Sequence, residues 1–349
     1  MRVSTINTTT HEEVVRVEAA ECGLVGFIAI HSTRLGPAAG GLRMRPYADE
    51  AAALEDALRL SRGMTYKNAA AGLPLGGGKS VIMGDPATLK TPELLAAFGR
   101  AIEALGGRYW TAEDMGMSPA DMAQVATETR FVAGLPDGAF ASGDPSPVTA
   151  RGIFNGIRTT ARHRFGSPEL SGRTVAVQGL GHVGENLCGL LHDTGARLIV
   201  ADIDPARTRA IADRFGAETA EPDAILAVKA DILAPCAIGA ILNAQTIPAL
   251  CVGAVAGGAN NQLATEEDGA RLHARGILYA PDFVVNAGGI INVATEILQI
   301  AGREAWVADK LRTLDSTLDR ILTRAARLSV SPNAVAESIV DEQLAQRAA

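Results

Sequence analysis

Residues 173–204 read RTVAVQGLGHVGENLCGLLHDTGARLIVADID, and the fold turns on how this stretch is read. RTVAVQ is β-rich, Gly179-Leu180-Gly181-His182-Val183-Gly184 has the spacing G-x-G-x-x-G, and the run behind it is helical. RLIVADID is then a second strand ending in Asp202, eighteen residues beyond Gly184. The glycine spacing alone is a weak signal. The strand before it, the helix after it and the acid closing the next strand make it a dinucleotide-binding unit rather than a glycine-rich turn in a protein without nucleotide. Gly179 permits the tight turn, Gly181 lets a pyrophosphate approach the backbone, and Gly184 allows close helix–strand contact, with the helix N-terminus aimed at phosphate. His182 and Val183 complete the loop, His182 pointing to solvent. Asp202 is placed to accept hydrogen bonds from ribose hydroxyls and to repel a 2′-phosphate, which favours NAD over NADP. Arg207, five residues on, works against that preference.

Working outward, PARTRAIADRFG continues the alternation as a helix, and ADILAP, CVGAVAGG and GILYAP supply further apolar strands. Strand and helix in turn imply a parallel sheet wound by helices. On the other side, residues 134–152, GLPDGAFASGDPSPVTARG, concentrate glycine, proline, serine and aspartate, as a hinge or boundary does. Before it, DEAAALEDALRLSRG (49–63) patterns as an amphipathic helix, with Leu54, Ala57, Leu58 and Ser61 on one stripe. SVIMGD and RYWTAED suit strands, and Ser118-Pro119-Ala120-Asp121 starts a second helix. The expected fold is therefore α/β in two domains: a mixed α/β domain over 1–135 and a Rossmann-type domain over 136–325. From Val307 to Ala325 an apolar seam at spacings of four and three runs along a long helix, suited to internal packing or to a subunit contact. Another helix follows Ser331-Pro332.

Composition removes several classes. With 39 acidic against 32 basic residues and a net charge of -7, the chain lacks the electropositive footprint that nucleic acid requires. The longest apolar stretch, from Ile277 to Ile300, is broken by Asp282, Asn286, Asn292 and Glu296, so no membrane span is expected, and no secretory signal is visible. Cys22, Cys188, Cys236 and Cys251 show no metal-ligand spacing and read as buried free thiols of a reducing, cytoplasmic compartment. The six histidines imply no metal either.

The 32 basic residues comprise only five lysines against 27 arginines, and two of the five, Lys67 and Lys79, share the nearly uncharged segment MTYKNAAAGLPLGGGKSVIM. Gly78-Lys79-Ser80 invites a phosphate-loop reading, but position 73 is leucine where that motif needs glycine. Two lysines by an apolar cleft offer different chemistry. An ammonium desolvated or set near another cation loses its proton easily, so one of the pair can serve as a neutral base while the other holds an anionic group. Arginine cannot do the first task. The flanking glycines would let backbone approach a ligand. A second proton-transfer group is needed, and Asp114, in the turn Thr111-Ala112-Glu113-Asp114-Met115-Gly116, is the leading candidate.

Taken together, GPAAGGLRM, RLSRGMTYKNAAAGLPLGGGKSVI, AEDMG, SGDPSPVTARG, VAVQGLGHVG, VAGGANNQL and YAPDFVVNAGGIINV resemble, in order and over nearly the whole chain, the NAD-dependent amino-acid dehydrogenases of the leucine, valine and phenylalanine type, distant relatives of glutamate dehydrogenase. The leucine/valine branch is the most similar. The resemblance implies reversible oxidative deamination of an L-amino acid to a 2-oxo acid and ammonium. It implies that Lys67 binds the substrate carboxylate, Lys79 activates the water attacking the imino intermediate, and Asp114 exchanges protons with the amino group. Gly40 and Gly41 would line the substrate site, with Pro145, Ser146 and Thr149 at an interdomain cleft and Ala237, Ala256, Asn260 and Asn286 near the nicotinamide and its ribose. It further implies a C-terminal helix, about 326–349, returning to the first domain, and a homo-oligomer, a dimer or larger up to an octamer.

By the same resemblance Ala39, Met64, Ala112, Ile290 and Val293 form the side-chain pocket, all apolar. Burying a γ-carboxylate there without a partner costs far more than binding returns, so glutamate is disfavoured. Ala39 and Leu42 depart from the residues usual in the leucine enzymes. Ala39 widens the pocket floor and could admit a larger side chain, while one methylene changes discrimination by only about 1–3 kcal/mol. Leucine, valine and isoleucine are the first expectation and phenylalanine or another aromatic amino acid the second. A third reading, a catalytically idle NAD-binding protein, would be expected to have lost Lys79 or Asp114.

Overall fold

β-branched apolar runs and glycine turns give the first part of the chain its strands, and capped, proline-started segments its helices. In the computed structural model, which describes residues 1–346, these are β1 (Arg2–Thr5), β2 (Glu13–Ala19), β3 (Leu24–Ser32), β4 (Ala38–Arg45), α1 (Glu50–Ala70), β5 (Gly76–Met83), α2 (Pro92–Glu103), β6 (Tyr109–Glu113) and α3 (Pro119–Val125). Asp49 caps α1 by accepting the Ala52 N–H at 2.8 Å, and Ser118 with Asp121 closes a capping box on α3. The sheet runs β1-β2-β3-β5-β4-β6, antiparallel from β1 through β5 and parallel across β5, β4 and β6. Helix α1 covers one face, where Ala53 and Ala57 meet Phe27 and Val81. On the other, Leu94 and Phe98 of α2 and Met122 and Val125 of α3 pack on Leu42, Met44 and Ile82. A sheet buried on both faces suits its parallel half.

The second part comprises α4 (Ser146–Phe165), β7 (Thr174–Gln178), α5 (His182–His192), β8 (Arg197–Ala201), α6 (Pro205–Phe215), β9 (Glu218–Thr219), β10 (Ile232–Pro235), β11 (Ala254–Val255), α7 (Glu266–Ala274), β12 (Leu278–Tyr279), α8 (Asp282–Val285), α9 (Gly288–Ile297), α10 (Arg303–Leu328) and α11 (Pro332–Gln346). Its sheet is wholly parallel, in the order β12-β11-β10-β7-β8-β9. Counted within this sheet, that is the doubly wound dinucleotide-binding order, whose direction reverses between β7 and β10.

The chain divides into two compact units: Met1–Pro145 with Ile290–Ala308 and the residues from 343 onward, and Ser146–Gly289 with Asp309–Glu342. These bounds differ from the expected 1–135 and 136–325. Residues 136–145 stay with the first unit because Gly134 and Ser142 are tied to Glu296 within it, and α11 belongs mostly to the second. Residues 347–349 of the expected C-terminal helix lie outside the described residues. The seam on α10 is internal packing, with Leu311, Leu314, Leu318, Ile321 and Ala325 buried. Of the four free cysteines only Cys188 is buried and Cys251 is exposed, which corrects the expectation that all are core thiols. Among the described residues no helix is long and apolar enough to cross a membrane, and no group of three His, Cys, Asp or Glu is placed to hold a metal.

Candidate active site

Period-two alternation puts Gly77, Lys79 and Val81 of β5 on the face covered by α1. Parallel pairing sets Ala39 beside Gly77, and Gly41 beside Ala112 of β6. Lys79 is 5% exposed. Its ammonium donates to Asp114 Oδ2 at 2.5 Å. Asp114 stands just past β6, in a turn that the Met44 N–H holds by donating to Met115 O at 2.9 Å. Gly116 makes that turn possible: its φ is 80°, and a Cβ there would come 2.1 Å from Met44 O.

Sequence reasoning missed a third member. Arg43 of β4 donates from Nε to the same Asp114 Oδ2 at 3.0 Å and from Nη1 to Asp56 Oδ2 at 3.1 Å, while the Tyr47 hydroxyl donates to Asp56 Oδ2 at 2.7 Å. The only signal for it was its own position, two residues past Gly41. Burial and attraction compete in this cluster and the winner differs by residue. Burial dominates at Lys79 and lowers its pKa against the pull of Asp114, with Arg43 repelling the charged form further. Burial would raise Asp114, but the charges of Lys79 and Arg43, with a hydrogen bond from the Met115 N–H, hold its carboxyl well below the usual range. The result is a desolvated amine beside a fixed carboxylate. Arg43 is a cation at Asp114 that the sequence does not single out.

Lys67 and Met64 lie in the last turns of α1, which runs seven residues further than its amphipathic stripe suggested, and both are half-buried. Gly40 approaches Met64, whose Cγ lies 3.0 Å from where a Cβ would stand, and a Cβ on Gly41 would lie 2.8 Å from Asp114 Cβ. Ala39 and Ala112 are buried, as are Ile290 and Val293, one helical turn apart on α9. All of these belong to the first unit, as does Pro145; Ser146 and Thr149 open α4 in the second. The glycines ahead of Lys79 do not face a ligand, contrary to expectation. A Cβ on Gly77 would fall 2.1 Å from the Thr65 backbone nitrogen, and one on Gly78 would fall 2.6 Å from the Tyr109 ring. They let α1 and Tyr109 pack on the strand.

In the second unit, a Cβ on Gly179 (φ 89°) would meet Ala237 at 2.7 Å, across the point where the strand order reverses, and one on Gly184 would meet Gly179 O at 2.0 Å. Gly181 faces open space, and no side chain caps α5 there, so the first-turn N–H groups are not taken up by a side-chain cap. His182 is exposed and Val183 half-buried. Asp202 accepts the Leu180 N–H at 2.7 Å and the Asp204 N–H at 2.9 Å, and Arg207 stands 3.4 Å from it. The buried Ala256 continues β11. Asn286 donates to Asn260 Oδ1 at 2.9 Å, while its own Oδ1, like Gln178 Oε1 beside Gly179, is buried without a partner among the described residues. An open glycine at an uncapped helix start, a carboxylate closing the next strand and orphaned buried acceptors fit a dinucleotide.

This pairing of a doubly wound nucleotide unit with a buried lysine–carboxylate site defines an oxidoreductase that works through a nicotinamide cofactor. The chain matches the Glu/Leu/Phe/Val dehydrogenase dimerisation domain over residues 11–131 and the glutamate/leucine/phenylalanine/valine dehydrogenase model over 201–338. It is 50% identical to the leucine dehydrogenase of Thermoactinomyces intermedius, covering 89% of this chain and 84% of that one, and 46% identical to that of Bacillus subtilis (strain 168), covering 96% and 91%. The crystal structure of L-tryptophan dehydrogenase from Nostoc punctiforme superposes with a TM-score of 0.83 at 41% identity, covering 97% of both chains. The protein belongs to the Glu/Leu/Phe/Val dehydrogenase family and is an amino-acid dehydrogenase acting on small molecules.

Proposed function

We propose that the chain catalyses NAD-linked oxidative deamination of an apolar L-amino acid, leucine, valine or isoleucine first, in which amino acid, NAD⁺ and water give 2-oxo acid, ammonium, NADH and a proton. The observation that carries this is the contact of the buried Lys79 with the half-buried Asp114, in the unit that also holds the buried Ala39 and Ala112. Lys67 holds the substrate carboxylate by charge, and Gly40 and Gly41 leave room for its backbone. Asp114 takes a proton from the substrate ammonium and returns one to the departing nitrogen. Lys79, whose pKa desolvation lowers, takes in its neutral form the proton of the water that adds to the imino carbon. Gly179, Gly181, His182, Val183, Gly184 and Asp202 hold the dinucleotide, with Ala237, Ala256, Asn260 and Asn286 at its nicotinamide end. A nicotinamide held there would supply the hydride acceptor.

Met64, Ile290 and Val293 complete an apolar pocket in which a glutamate side chain has no partner. Asp202 supports NAD over NADP, since a 2′-phosphate would face its carboxylate. An aromatic substrate is the second reading, supported by the small side chain at Ala39 and by the tryptophan-acting relative. The dimerisation domain matched over residues 11–131 supports a homo-oligomer, and four free cysteines suit the cytoplasm.

The test is NADH formation at alkaline pH with leucine, valine, isoleucine, phenylalanine, tryptophan and glutamate, repeated with NADP. Turnover with the branched-chain amino acids, and little with glutamate or NADP, is expected. No NADH with any of them would sink the reading.

A further inference from the structure

Glu296, on α9, is 8% exposed and takes no part in the chemistry above. A carboxylate this deep is costly unless its oxygens are fully engaged. Glu296 Oε2 accepts the Gly134 N–H at 2.8 Å, the Ser142 N–H at 3.1 Å and the Ser142 hydroxyl at 2.9 Å, and Oε1 accepts the Leu135 N–H at 3.4 Å. The segment it grips borders β6. Thr111 N–H donates to Phe131 O at 3.0 Å and Ala133 N–H to Thr111 O at 2.9 Å, and a Cβ on Gly134 would stand 3.7 Å from the Glu113 nitrogen, next to Asp114. A second tie runs in parallel. Asn292 donates to Ser142 O at 3.1 Å, and Arg303 donates to Asn292 Oδ1 at 2.6 Å and to Ser142 O. All of these residues lie in the first unit.

We infer that Glu296 is a positioning residue for substrate recognition: through Gly134, Leu135 and Ser142 it locks α9, which carries Ile290 and Val293, to the edge of β6, which carries Ala112 and leads into Asp114. The two sides of the apolar pocket come from segments more than 170 residues apart in sequence, and this carboxylate fixes their spacing. Side-chain selectivity depends on that spacing to a fraction of an ångström. The inference rests on the apolar amino-acid dehydrogenase reading.

Glu296→Gln keeps the shape but presents one amide N–H₂ to a ring of donors, and Glu296→Asp keeps the charge on a shorter arm. Each is compared with wild type for KM of leucine, valine and phenylalanine, for NADH dissociation by fluorescence titration, and for Tm. Expected for Glu296→Gln are a rise of about tenfold in the KM for leucine, an altered leucine-to-phenylalanine ratio of kcat/KM and unchanged NADH binding, with Glu296→Asp intermediate. Unchanged KM and selectivity with only a lowered Tm or a lower active fraction would show a purely structural role and overturn the inference. If Glu296→Gln does not fold, Glu296→Asp and Asn292→Ala are read by the same KM and selectivity criteria. Wild type inactive on all three amino acids would instead overturn the functional reading and, with it, this one.

Discussion

Lys79 and Asp114 share one short contact, yet burial wins at Lys79 and loses at Asp114, because Lys79 is repelled by Arg43 whereas Asp114 is attracted by both Lys79 and Arg43. Arg43 thus does two things: it keeps Asp114 ionised and repels a proton on Lys79. Lys79 must be neutral to accept a proton from water, so activity rises as pH passes its pKa. Removing Arg43 takes away a cation that repels the charged amine and so raises that pKa. Arg43→Met is therefore expected to move the acidic limb of the kcat/KM profile to higher pH by about one unit. A limb that stays in place would show that Arg43 only packs. Lys79 and Asp114 were legible in the sequence because a rare lysine in an uncharged segment is conspicuous. Arg43 was not, since it is one of 27 arginines and its meaning depends on the pairing of β4 with β5 and β6.

At the scale of elements, α1 shows where periodicity runs short. The stripe expected from periodicity is Leu54, Ala57, Leu58 and Ser61; Leu54 and Leu58 are only half-buried, whereas Ala57 and Ser61 are buried as expected, on a line that continues through Ala53, Thr65 and Asn68. The strand it meets is glycine-rich backbone, against which small and polar residues fit better than leucine. Asn68 donates to Gly76 O at 2.5 Å, and Thr65 stands where a Gly77 side chain would be. Hydrophobicity cannot report such a contact, so the amphipathic pattern stops at Gly63 although the helix continues, and the glycines flanking Lys79 read as room for a ligand. Gly77→Ala must push α1 away from β5, an overpacking cost of about 3 kcal/mol. Chemical denaturation should show it as a lowered midpoint with unchanged slope; stability equal to wild type would mean that α1 does not pack as described. The strands and helices from 173 to 215 were legible nearly to the residue, because turn glycines and alternation there obey local rules. The helix of Ser146–Phe165 was not, since its proline, serine and glycine start resembles a hinge.

For the whole molecule, the chain passes between the two units after residues 145, 289, 308 and 342. No local pattern could reveal that residues 290–308 rejoin the first unit, because the reason is tertiary: Glu296 and Asn292 bond to Ser142, some 150 residues earlier. The division separates the tasks. The lysine–carboxylate site and its apolar surroundings are built in one unit and the dinucleotide cradle in the other, so chemistry and cofactor binding are separable by mutation. Lys79→Met, measured for NADH formation from leucine and NAD beside NADH binding by fluorescence titration, tests this most directly. The account predicts turnover reduced by about 10³-fold or more with the NADH dissociation constant unchanged. Near-normal turnover in that variant, or NADH binding lost together with activity, would contradict it.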